Sequence, residues 1–137
     1  MQPVTLTLPM ITDMELTASH TAGALGRQIG MASDQIDEIK QAVVEACINA
    51  FEHSGAIRRE VVVQLDVLGT DDAPEGMRIS VRDFGTGFNL DRARNPRGER
   101  LVDLKRGHGL RIIEGLMDEI HIESDGGGTT VVMTKLR

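Results

Sequence analysis

The sequence predicts an α/β fold: a two-layer sandwich in which a mostly antiparallel mixed sheet carries its helices on one face. Three observations lead there. The apolar residues change period along the chain in the order strand, helix, helix, strand, strand, polar segment, helix, strand, strand. The strands fall into hairpin pairs with no parallel strand–helix–strand repeat. One long stretch, residues 34–55, spaces Ile36, Ile39, Val43, Ala46 and Ala50 by three and four, giving an apolar stripe on which a sheet or another helix can pack. A chain of 137 residues has the size of a single domain, residues 1–137.

Taken in order, Val4, Leu6 and Leu8 alternate with Thr5 and Thr7 as a half-buried strand that Pro9 ends. Residues 14–29 read as a first helix, with Leu16, Leu25 and Ile29 on its apolar side and Gly23 and Gly26 weakening its middle. Ser33 or Asp34 caps the second helix, and His53-Ser54-Gly55 stops it, because glycine accepts the left-handed conformation of a helix C-terminus. Residues 60–68 and 77–81 alternate as a hairpin around Gly69, Pro74 and Gly76. Gly107 and Gly109 then precede a helix marked by Leu110, Ile112, Ile113, Leu116 and Met117. Residues 119–124 and 129–136 form a terminal hairpin around Asp125-Gly126-Gly127-Gly128.

Composition narrows the function. Asp and Glu outnumber Lys and Arg by 21 to 15, a net charge of -6 that argues against a general nucleic-acid surface. The single cysteine, Cys47, lies in the apolar run of the long helix, so it reads as a small core residue of a protein from a reducing compartment. No apolar run is long enough to cross a bilayer and the N-terminus lacks a signal-peptide pattern, so the expected location is cytoplasmic. His20, His108 and His121 have no neighbours that would complete a metal cluster and read as surface or half-buried residues.

Four features point to one pocket. On the long helix Glu45 and Asn49 stand four apart, one turn above each other on a single face; the first offers a base and the second a metal-coordinating oxygen. Asparagine is a weak helix former, so at mid-helix it serves either a ligand or a nearby backbone group. Asp83, at a strand end, can accept from the exocyclic amine of adenine, and equally fits the role of a turn acid. Gly85 and Gly87 let backbone approach a flat ligand, and Gly107 and Gly109 let the start of a helix approach phosphates. Residues 89–106 hold six basic against three acidic side chains, a local reversal of sign that suits either a lid closing over an anion or a solvated run. No Walker A or Rossmann fingerprint occurs, so a nucleotide would need another scaffold.

These residues carry a resemblance. ExxxNAxxH from Glu45 to His53, DFGTGF from Asp83 to Phe88, GHGLRIIEGLMDEI from Gly107 to Ile120 and GGTTV from Gly127 to Val131 stand in the order found in the GHKL, or Bergerat, ATP-binding fold. Within it the chain resembles the free-standing histidine-kinase-like ATPase domains of bacterial anti-sigma-factor serine kinases, the RsbW and SpoIIAB type. The resemblance implies an α/β sandwich with ATP under a lid, between the helices and one side of the sheet. It implies Glu45 as general base, Asn49 as the holder of Mg²⁺ and Asp83 as the adenine-binding acid, accompanied by Gly85 and Gly87. It further implies Gly107 and Gly109 on the phosphate side, Thr130 near adenine on the closing strand, and Arg106 where the lid rejoins the phosphate site.

The activity implied is that of an ATP-dependent protein serine/threonine kinase. It would transfer the γ-phosphate of ATP to a serine of a STAS-domain anti-sigma-factor antagonist, bind a sigma factor, and form a homodimer through surfaces such as the first helix, away from ATP. The acidic balance fits docking onto a basic region of a sigma factor and fits equally an ordinary solubility charge. The alternative is an RsbT-like switch module that keeps the ATP site but regulates a phosphatase or scaffold partner with little or no kinase activity. A plain ATPase with a transducer domain, or a sensor histidine kinase with a dimerisation helix pair, would need segments this chain is not expected to have.

Overall fold

The computed structural model describes residues 1–85 and 101–137, with side chains of the second segment described from residue 109 onward. The elements are β1 (Val4–Pro9), α1 (Met14–Gln28), α2 (Ser33–His53), β2 (Glu60–Gly69), β3 (Pro74–Asp83), α3 (Leu101–Leu116), β4 (Glu119–Asp125) and β5 (Gly128–Leu136). The strands form one sheet in the order β1-β2-β3-β5-β4, and every described pairing is antiparallel. The expected fold class is borne out.

Register explains the layer. Residues directly opposite in an antiparallel pair share a face, so Leu6, Val63, Val81, Val131 and Ile122 make one apolar row across all five strands. Val4, Leu65, Ile79, Met133 and Ile120 make the next. These rows meet Ile39, Val43, Ala46, Cys47 and Ala50 of α2 in one core without tryptophan or tyrosine. The other sheet face alternates out of phase and carries Thr7, Gln64, Ser80, Arg82, Thr130, His121 and Glu123.

α2 lies between α1 and α3 and packs on β3 and β5. Gly23 and Gly26, which weaken α1 as a helix, are buried because they bring the helices together. A Cβ at Gly23 would sit 2.9 Å from Cδ of Lys40, and one at Gly26 3.2 Å from Cγ1 of Ile36. Ser19 locks the same interface by donating to the Lys40 carbonyl at 3.1 Å. At the far end of the helix layer Lys135 is nearly buried, and its Nζ donates to Glu38 Oε2 and to the Leu116 carbonyl, both at 2.6 Å. One cation thereby ties β5 to α2 and to the carbonyl end of α3.

Several boundaries differ from expectation, and β3 begins at Pro74, so that Pro74 and Gly76 lie in the strand and not in the turn. The N-cap of α2 is Ala32 rather than Ser33 or Asp34, and the Gln35 side chain accepts from the Ala32 N–H at 3.1 Å. α3 begins at Leu101, so Gly107 and Gly109 lie inside the helix and do not precede it. Gly55, at φ 58°, follows α2 as the sequence predicts. Among the described residues no helix is long and apolar enough to cross a membrane.

Candidate functional site

Glu45 and Asn49 leave α2 on the side of α3. An ideal Cβ at Gly109 would lie 3.8 Å from Glu45 Oε2 and 3.9 Å from Asn49 Oδ1, so α3 passes both side chains at a position that has no side chain of its own. Glu45 is half-buried; Asn49 is 6 % exposed. Among the described residues the Asn49 Nδ2 is the buried side-chain polar atom that has no hydrogen-bond partner. Leaving a buried amide unpaired costs about 1–3 kcal/mol, and the nearby-backbone explanation for this asparagine is not met. An amide held ready in a polar gap beside a carboxylate fits a metal and phosphate ligand set, with Glu45 and Asn49 as the residues that would face it.

Asp83 ends the core-facing phase of β3, opposite Val61 of β2, and is 2 % exposed. Its Oδ1 accepts from the Gly85 N–H at 3.0 Å and from the Thr129 N–H at 3.3 Å, which fixes the carboxylate on the helix side of the sheet. Backbone contact on both sides explains the glycines. A Cβ at Gly85 would stand 2.2 Å from the Ser54 carbonyl oxygen, and one at Gly128 2.0 Å from the Asp83 carbonyl oxygen. Gly128 also has φ 148°, a conformation that other residues rarely adopt.

The contact of Gly85 with Ser54 puts the Asp83 end at the C-terminus of α2. Nine residues separate Ser54 from Glu45, roughly 13 Å along the helix axis at 1.5 Å per residue. The two carboxylates thus stand at the two ends of one strip along α2. A crevice of about 670 Å³ lined by Gly30, Gln35, Glu75, Leu136 and Arg137 lies at the other end of the sheet, where Gly76 pairs with Leu136, and takes no part in this strip.

Of the expected site residues, the structure brings Glu45, Asn49 and Gly109 together at one end and places Asp83 and Gly85 at the other. Thr130 is not with them. It pairs with Arg82 on the outer face and accepts from its Nη1 at 3.4 Å, while Thr129, 2 % exposed, faces the helix layer beside Asp83 and Ser124. Thr129 is the threonine that faces inward, and sequence reasoning did not single it out. The alternation on β5 could have found it, since Thr129, Val131 and Met133 share a phase. Arg106 and Gly107 lie in α3 as backbone, so their N–H groups belong to a helix interior, and the expected convergence of free N–H groups at a helix start is not seen there. Gly87 and the lid residues 89–100 lie outside the described residues.

Comparison with known proteins identifies the family. The family described as Histidine kinase-like ATPase domain matches residues 12–135. The anti-sigma F factors of Bacillus thuringiensis (strain Al Hakam) and Bacillus anthracis (strain A0248) are each 36% identical over 129 residues, spanning 91% of this chain and 86% of theirs. A structure of the RsbU and RsbW domains of a Mycobacterium tuberculosis protein superposes with TM-score 0.69 at 25% identity, covering 99% of this chain and 33%, about a third, of that one. The histidine kinase domain of a blue-light activated histidine kinase from Erythrobacter litoralis shares the fold, with TM-score 0.51 at 22% identity over 93% of this chain and 64% of that one. The chain belongs to the histidine kinase-like ATPase family of the GHKL fold and is homologous to the anti-sigma F factors.

Proposed function

We propose that this domain is an ATP-dependent protein serine/threonine kinase and anti-sigma factor, transferring the γ-phosphate of ATP to a serine of a STAS-domain antagonist and binding a sigma factor. Homology to the anti-sigma F factors supports the regulatory kinase role in general. The observation that carries the catalytic part is the placement of Glu45 and Asn49 together beneath Gly109, with the buried Asn49 Nδ2 unpartnered among the described residues.

In this reading Asp83 accepts from the adenine amine, held by the N–H groups of Gly85 and Thr129. Asn49 and Glu45 face the phosphates. Mg²⁺, when bound, supplies charge neutralisation across the phosphate oxygens. Asn49 would hold that ion through its amide oxygen, and Glu45 takes the proton of the incoming serine hydroxyl as the oxygen attacks the γ-phosphorus and ADP leaves. Gly107 and the side chain of Arg106 are assigned to the phosphate side on the resemblance, and the homodimer is assigned to the α1 side in the same way.

The test is transfer from γ-labelled ATP to STAS and sigma-factor partners recovered by pull-down with ATP or ADP. Wild type should label a STAS protein on serine. Glu45→Gln should bind ATP within about threefold of wild type while transfer falls by roughly a hundredfold or more, the scale of a lost general base. Partners that bind while wild type labels none of them would leave an ATP-dependent binding module and sink the kinase.

A further inference from the structure

Phe84 is half-buried and has no part in the site as described. It follows Asp83 in the chain, so it points to the outer face of the sheet while Asp83 points to the helix layer. Two guanidinium groups lie over its ring, that of Arg58 at 3.7 Å from the centroid and that of Arg82 at 5.5 Å. Each is anchored further out. Arg58 Nε donates to Glu60 Oε2 at 3.0 Å. Arg82 donates to Thr130 Oγ1 at 3.4 Å, and its Nη2 stands 3.9 Å from Asp125 Oδ1, which also accepts from the Gly127 N–H at 2.7 Å.

A continuous line of contacts therefore runs from the α2–β2 connection through Phe84 to the β4–β5 turn, on the reverse side of the strand end that carries Asp83. The same turn continues into Gly128 and Thr129, which touch Asp83 from the front. The segment between, Asp83 to Gly85, leaves the sheet after Asp83, where β3 ends, and Gly85 has no side chain to hold it there. A hydrogen bond separates one base from another only if its acceptor is held within a fraction of an ångström, and such holding comes from neighbours whose own geometry is fixed.

We propose that Phe84, Arg58 and Arg82 are positioning residues for base recognition: their stack behind β3 fixes the Asp83–Gly85 segment, and so sets the preference of the site for adenine over guanine. None of them touches the nucleotide. The proposal rests on the reading of this strip as an ATP site and adds to it the source of its base specificity.

Calorimetry with ATP and with GTP, each with and without Mg²⁺, on wild type, Phe84→Leu, Arg58→Gln and Arg58→Lys tests this, with a thermal melt for each. In Phe84→Leu the preference for ATP over GTP should narrow by roughly five- to tenfold, the sum expected of two partly exposed cation–π contacts. Arg58→Gln should narrow it less, and Arg58→Lys, which restores a cation over the ring, should recover most of that loss. The effect of Mg²⁺ on affinity, set at the Asn49 end, should stay constant. An unchanged ATP-to-GTP ratio in Phe84→Leu and Arg58→Gln overturns the proposal, as does an equal loss for both nucleotides, which marks general damage to the fold. Should Phe84→Leu fail to fold, Arg58→Gln decides, because that side chain is 55% exposed. Wild type binding neither nucleotide overturns the ATP reading itself, and the wild-type titration reveals this before any variant is compared.

Discussion

The N–H of Thr129 donates to Oδ1 of Asp83 at 3.3 Å, across the pairing of β5 with β3. One carboxylate oxygen is thus committed to backbone. Asp83→Asn can keep that role with its amide oxygen, while its NH₂ presents a donor where an adenine amine needs an acceptor. Affinity for ATP and ADP should fall by about tenfold or more, with the melting transition still cooperative. Calorimetry and a thermal melt on the same sample check both halves, and unchanged affinity would remove Asp83 from the base site.

Asn49→Leu should separate stability from function. The buried Nδ2 has no partner among the described residues, so replacing the amide with an apolar group of similar size removes an unpaid desolvation cost. The folded state should gain about 1 kcal/mol in urea unfolding, and Mg²⁺-dependent ATP binding should be lost. A variant that is destabilised by as much as a core truncation would show the amide to be structurally bonded.

Lys135→Met leaves Glu38 and the Leu116 carbonyl without their shared donor. Glu38 is partly exposed, so the cost should be about 2–3 kcal/mol, below that of a fully buried pair. Lys135→Met combined with Glu38→Leu should regain at least half of it. A double-mutant cycle by chemical denaturation measures the coupling, and additive losses would show that the contact contributes nothing.

Burial, and then the Glu15 carboxylate, push the Cys47 thiol up from 9.0 to about 12. The unfolded chain releases this proton near the ordinary value while the folded chain holds it. The thiol's contribution is therefore complete below about pH 9 and is lost as pH rises towards 12. Stability should fall by about 1.4 kcal/mol per pH unit in that window. Cys47→Ala should flatten this part of the profile, and an equal slope in both proteins would assign the fall to other groups.

Where periodicity was strong, the sequence was a sound guide. The stripe on α2 and the alternation of β2, β3 and β5 determine which side chains can face each other, so the sandwich follows from pattern alone. Glu45 and Asn49 were legible because a spacing of four on a long helix has one geometry. Two adjacent threonines, Thr129 and Thr130, satisfy a motif equally, and only the phase of Val131 and Met133 tells which faces inward. The start of α3 was hidden by chemistry of the opposite kind. Two glycines within three residues each cost a helix about 1 kcal/mol relative to alanine, which masks the apolar signal of Leu101, Val102 and Leu104. The Phe84 stack could not be read at all, since it joins residues 26 apart that share no local pattern.

α2 buries Ile36, Ile39, Ala42, Val43, Ala46, Cys47, Asn49 and Ala50 and also bears Glu45. Seven of those eight hold the sandwich together, whereas Asn49 bonds to no described neighbour and Glu45 is not in the core at all. If Glu45 and Asn49 serve as proposed, a lineage can abandon phosphate transfer by drift at two letters of its longest helix and keep the packing of the seven apolar residues that hold the sandwich. On that reading, the residues at positions 45 and 49 would sort working enzymes from inert look-alikes among descendants of such a chain when shape and overall identity do not.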